Sequence, residues 1–149
     1  MEDKKSTTRM AFKLENAAIS WGSKKQDITA LSTTEAEYVD VTTAACQGVW
    51  LRRMLEDCEL KQSTPTVIWC GNLSTIAISK NPAHHGRIKH IDIRFHFIRG
   101  LISDEMIALE YCKTELTDIF TKPLPIQKHN HLRTMLGACN LELRGGVEC

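Results

Sequence analysis

Leu31-Ser32-Thr33-Thr34-Glu35-Ala36-Glu37-Tyr38 is the stretch on which the fold turns. Ser32 followed three residues later by Glu35 has the form of a capping box, in which hydroxyl and carboxylate satisfy the orphan amides of a helix start. The spacing predicts a long helix from there to about Asp57. Its inward stripe reads Val41, Ala44, Gly48, Leu51 and Leu55, at intervals of three and four. Extended back by four, that stripe lands on Glu37. A carboxylate on the inward face of a core helix is costly unless it is paired, protonated or bound to a metal. The residues alone leave open a metal ligand and a helix-end ion pair. Glu35, two positions away, points elsewhere and has the capping role.

Upstream of this helix, Met10, Phe12 and Leu14 alternate with polar or small residues, and Ala17, Ile19 and Trp21 alternate again beyond Glu15-Asn16. Period-two alternation around a turn predicts a β-hairpin over 8–23. Downstream, Thr66-Val67-Ile68-Trp69-Cys70 is an apolar, β-branched run that reads as a buried strand. Gly71-Asn72 ends it, a short helix follows over Leu73 to Lys80, and Asn81-Pro82 breaks that helix. A further helix over Asp92 to Ser103 would turn Ile93, Phe97, Ile98 and Leu101 inward. Met106 to Tyr111 reads as a strand and Glu115 to Thr121 as a helix start, closed by Pro123 and Pro125. The tail holds one amphipathic piece around Leu132, Met135 and Leu136. This order predicts a mixed α/β domain over 1–124 and a helical tail over 125–149. The helical crossover from the hairpin to the strand at 66–70 implies at least one parallel neighbour.

Bulk composition narrows the function. With 149 residues, 42% hydrophobic and 25% charged, the chain has material for one core. A net charge of +1 gives no overall field that would draw nucleic acid. Basic residues do gather locally between Lys80 and Arg99, with Arg87, Lys89 and Arg94 in between, facing the single acid Asp92. His84, His85, His90 and His96 share that stretch, which reads equally as a solvated loop and helix face. The six cysteines form no Cys-x-x-Cys pair, and no secretory leader precedes them, so free thiols are expected rather than a disulfide framework. His84-His85 and His129 with His131 lack the paired spacing of a zinc site. No apolar run approaches the ~20 residues that span a bilayer. A soluble, intracellular protein is expected.

Four strings carry a resemblance. They are Ala18-Ile19-Ser20-Trp21-Gly22-Ser23-Lys24-Lys25-Gln26, the Leu31-to-Tyr38 stretch itself, Lys89-His90-Ile91-Asp92-Ile93-Arg94-Phe95-His96-Phe97-Ile98-Arg99, and Thr117-Asp118-Ile119-Phe120-Thr121-Lys122-Pro123-Leu124. With Trp50-Leu51-Arg52-Arg53 and Asn81-Pro82 between them, they resemble, in order, the ribonuclease H domain of copia-type retrotransposon polyproteins. The resemblance implies a ribonuclease H-like mixed sheet flanked by helices, and cleavage of RNA in RNA–DNA hybrids with two magnesium ions. Two hard cations about 4 Å apart need several converging carboxylates. In the family these stand on the first strand, early in the first long helix, at the end of the next parallel strand, and at the opening of a late helix.

Carried onto this sequence, the helix acid maps to Glu37 and the late-helix acid to Asp118. These are the expected catalytic and metal-binding residues. The strand-end acid should stand in a Cys-Asp-Asn string, whereas this chain reads Cys70-Gly71-Asn72. The first acid should lie upstream of the segment surviving as Lys5-Ser6-Thr7, and Asp3 lies too close to that segment to be it. The first, central strand is therefore expected to be missing. Arg9 stands where the family usually has glycine, Met10 where an aromatic is usual, and the loop before Asp118 is short.

Half the acids are gone, and magnesium relies on their charge. Losing one member of a catalytic unit removes most of its effect. The resemblance thus implies an inactive relative that does not hold magnesium stably. Two alternatives stand beside it. One is a module gripping hybrid or duplex through Arg87, Lys89, Arg94 and Arg99, with salt-sensitive affinity. The other is a working nuclease completed by an upstream strand, against which Gly71 argues. A reverse transcriptase domain would be the neighbour in a parent polyprotein. Without its central strand, the two halves of the sheet must shift together, borrow a strand from another chain, or stay loosely packed.

Overall fold

The computed structural model describes residues 5–15, 17–81, 92–112 and 124–135. Strands β1 (Thr7–Leu14) and β2 (Ala17–Lys25) form the expected hairpin, antiparallel, with Thr7 opposite Lys25. Glu15 takes a left-handed φ of 52° in the turn, and the register slips between Phe12 and Lys13. Helix α1 (Thr33–Asp57) begins as its capping residues dictate: the Ser32 hydroxyl accepts from the Glu35 amide. The Glu35 carboxylate reaches back one residue further than the box requires and accepts from the Leu31 amide at 2.6 Å. That bond compensates the near-complete burial of Glu35.

Strand β3 (Thr66–Cys70), helix α2 (Leu73–Lys80), helix α3 (Asp92–Ser103), strand β4 (Ile107–Tyr111) and helix α4 (Ile126–Met135) complete the order. Asn72 caps α2 by accepting from the Ser74 and Thr75 amides. The expected helix start over 115–121 lies outside the described residues. So does Leu136; its neighbours in the predicted tail helix divide, Leu132 being buried and Met135 exposed.

The fold is mixed α/β, but among the described residues its strands form two separate two-stranded sheets. The parallel neighbour of β3 is β4, with Ile68 opposite Leu109, and not the hairpin to which α1 connects it. One core lies on the inner face of β3 and β4. There Tyr38, Val41 and Ala45 of α1 meet Ile68, Cys70, Ile107 and Leu109, with Ile76 of α2 and Phe95 and Ile98 of α3 closing over them. The Tyr38 and Phe95 rings pack with centroids 4.2 Å apart.

The inward face of α3 differs from the expected one. Ile98 is fully buried and Leu101 partly so, but Ile93 is 84% exposed and Phe97 is also exposed, while Phe95 is buried. Apolar residues occur nearly all round this helix, so more than one stripe fits its sequence. Contact with Tyr38 selects Phe95. On α1, Val41, Gly48 and Leu51 are buried as expected, with Ala44 and Leu55 at the margin, Ala45 also buried, and Tyr38 carrying the contact with Phe95 of α3.

Helix α1 ties the two sheets together. Near its start, Asp40 accepts from the Thr8 hydroxyl of β1 and, at 2.8 Å, from the side-chain amide of Gln26 just past β2. That Gln26 amide also donates to the Ala36 carbonyl at 3.0 Å. Two turns later Gly48 lets Phe12 close in: a Cβ there would stand 3.4 Å from the Phe12 ring. At the far end Arg52 donates to the Gln62 and Thr64 carbonyls and fastens the loop into β3.

Candidate functional site

These contacts set the strand directions. Asp40 meets Thr8 and Gly48 meets Phe12, so β1 runs in the same sense as α1. Glu37 meets the end of β3 at Gly71, while Gly48 lies near Thr66 at its start, so β3 runs against α1. Hence β1 and β3 are antiparallel to each other on either side of the helix. Between them lies a slot of about 200 Å³. Thr7 and Arg9 form one wall, Ile68 and Trp69 the other, and Glu37, Asp40, Val41 and Ala44 the floor, with Gly71 and Cys112 at one end.

Glu37 stands in this slot, as the inward stripe requires. One carboxylate oxygen accepts from the Gly71 amide at 3.3 Å and lies 3.5 Å from the Cys70 sulfur. Burial pushes the Cys70 thiol up to about 12, and the neighbouring Glu37 adds to the shift. Cys112 is raised for the same two reasons. Both thiols are therefore harder to ionise than an ordinary cysteine. All four described cysteines are free.

Asp40 is the acid the sequence reading missed. Burial raises its carboxyl above the usual range, and Glu37 contributes in the same direction, against the lowering effect of Thr8, Gln26 and Arg9. Its signal was present: Asp40 follows Glu37 by three, on the same side of the helix. Arg9 brings a cation into the slot, and its Nε is buried without a hydrogen-bond partner.

The other expected site residues are not gathered here. Asp118, Arg87 and Lys89 lie outside the described residues. Arg94 and Arg99 are on α3, away from the slot lining. Arg99 donates to the Ile78 and Asn81 carbonyls and so closes the C-terminal end of α2. Among the described residues no group of three or more histidine, cysteine or acidic side chains is placed to hold a metal ion. Glu37 accepts from the Gly71 amide, and Asp40 accepts from Thr8 and Gln26. No described helix is long and apolar enough to cross a membrane.

No protein-family profile matches the chain, and no solved structure matches it. Sequence relatives do. The chain is 38% identical over 139 residues, 92% of its length, to the retrovirus-related Pol polyprotein from transposon TNT 1-94 of Nicotiana tabacum. It is 33% identical over 138 residues to that from transposon RE1 of Arabidopsis thaliana, and 35% over 125 residues to that from RE2 of the same plant. It spans only 10%, 9% and 9% of those three proteins. Over about a tenth of their length, then, this chain belongs with the retrovirus-related Pol polyproteins of copia-type transposons.

Proposed function

We propose that the chain is a retrotransposon-derived, ribonuclease H-like domain that has lost its nuclease activity. One observation carries this reading. Where a metal-dependent nuclease needs a second carboxylate beside the helix acid, Glu37 faces the bare backbone amide of Gly71. Glycine supplies neither a ligand nor a charge at the strand end, where two-cation chemistry calls for a further converging carboxylate. The slot between β1 and β3 agrees with a sheet that lacks its central strand.

The test is a cleavage assay on a labelled RNA–DNA hybrid in millimolar magnesium. The expected result is no cutting above background. Magnesium-dependent cutting that disappears in Glu37→Gln would show the reading to be wrong. Binding of hybrid or duplex is the weaker reading, since Arg99 already serves the end of α2. Hybrid affinity falling steeply with salt would revive it.

A further inference from the structure

We infer that Thr64 is a phosphorylation site for proline-directed serine/threonine kinases, and that Arg52 receives the phosphate. Thr64-Pro65 is the one place in the 149 residues where serine or threonine precedes proline. It lies in the segment 58–65 that joins α1 to β3, and Ser63 and Thr64 are both exposed.

A kinase must set the acceptor hydroxyl in line with the γ-phosphate of ATP, so it takes its substrate as an accessible, non-helical segment. Proline suits such a segment, because it keeps the residue before it out of helical geometry and has no N–H to leave unbonded. Arg52 holds the segment by its side chain, donating to the Gln62 and Thr64 carbonyls. Local opening of such bonds exposes the segment while the β3–β4 ladder stays closed. In the transfer, Thr64 Oγ1 forms a bond to the γ-phosphorus of ATP. The bond from that phosphorus to its β,γ-bridging oxygen breaks, ADP leaves, and the hydroxyl proton passes through the kinase's base to solvent.

Arg52 decides where the phosphate goes. Its Nη1 lies 2.7 Å from the Thr64 carbonyl and 3.2 Å from the Thr66 hydroxyl, and its Nη2 lies 2.8 Å from the Gln62 carbonyl. Of the five N–H groups of a guanidinium, three serve these acceptors, which leaves two among the described residues. The group is already bonded to Thr64, so a phosphate on that residue starts within its reach, and the planar fork matches phosphate oxygens. Opposing it, Asp57 and Glu59 stand at the same end of α1, where the helix dipole also disfavours an anion. Glu56 is already met by Lys61 at 3.0 Å. Repulsion between exposed charges is screened by salt, whereas a forked, hydrogen-bonded pair keeps most of its strength, so the fork prevails. The phosphate would tie α1 to the entry of β3. It would also add about two negative charges to a chain of formal charge +1, reversing the sign. None of this depends on the nuclease reading, and the test contains no nucleic acid.

The experiment incubates the full chain with a proline-directed kinase of the cyclin-dependent class, magnesium and ATP, and maps the product by mass spectrometry. One phosphate on Thr64 is expected. Thr64→Val should abolish incorporation, Ser63→Ala should leave it unchanged, and Pro65→Ala should slow it about tenfold or more. Phosphorus NMR then follows the second ionisation of the phosphate. In the folded chain it should fall at clearly lower pH than in urea, and Arg52→Gln should remove that difference. Should Arg52→Gln fail to fold, the comparison of the phosphorylated parent with and without urea decides alone. No incorporation, incorporation at another residue, indifference to Pro65→Ala, or a phosphate that titrates alike with and without urea would overturn the inference.

Discussion

The carboxylate of Glu37, near the start of α1, accepts a hydrogen bond at 3.3 Å from the backbone amide of Gly71, just past the end of β3. The two residues lie 34 apart in sequence, and their contact brings the inward face of the helix to the end of the slot. In this arrangement Glu37 acts as a brace between helix and strand.

Gly71→Asp tests what the missing side chain does. A carboxylate at 71 would stand beside Glu37, and like charges at such range disfavour the folded state. In EDTA at pH 7 the variant should lose about 1 kcal/mol in a urea melt. The loss should shrink when the pH falls through the carboxylate range, or when millimolar magnesium is added. A variant as stable as the parent in EDTA would mean that position 71 faces away from Glu37.

Asp40→Asn should stabilise the protein at neutral pH. Burial holds the Asp40 carboxyl above its ordinary value of 3.8, so the folded state binds that proton more tightly than the unfolded chain does. The resulting contribution is fully present below 3.8 and is lost as pH rises through the raised folded value. Above that range the asparagine variant, which keeps an acceptor for Thr8 and Gln26, should melt at a higher temperature than the parent. Below it the two melts should coincide. A constant gap across pH would contradict the assignment.

Ile98 and Ile93 separate the two possible faces of α3. Ile98 is fully buried and Ile93 is 84% exposed. Ile98→Ala should cost about 2–5 kcal/mol of unfolding free energy. Ile93→Ala should stay within about 0.5 kcal/mol of the parent. The reverse order in urea titrations would restore the face that includes Ile93.

Ser32→Ala removes the hydroxyl that accepts from the Glu35 amide. A loss of about 1 kcal/mol is expected, as for other N-cap serines. Ser32→Asp should retain most of the stability, because it keeps an acceptor and adds a charge that favours the helix start. An unchanged melt for Ser32→Ala would show that Glu35 bonding to Leu31 holds the first turn alone.

Much of this protein was legible before any coordinates. The start of α1, the hairpin, β3, α2 and β4 lie where local periodicity and punctuation put them, because those signals act within a few residues. Glu37 was legible for the same reason, as the continuation of an apolar stripe. Asp40 was marked only by its place three residues after Glu37; its role comes from Thr8, 32 positions away, and Gln26, 14 away. The face of α3 was misread because apolar residues surround that helix, and only packing against Tyr38 chooses among them.

The sequence by itself determined the identity and order of the described elements, the family, and the absence of a carboxylate at 71. These depend on short-range spacing or on residue type alone. The tertiary structure decided which strands pair. Backbone hydrogen bonds between strands carry no residue code, so the partnership of β3 with β4, and the slot left beside β1, emerge only when α1 lays both sheets along its length.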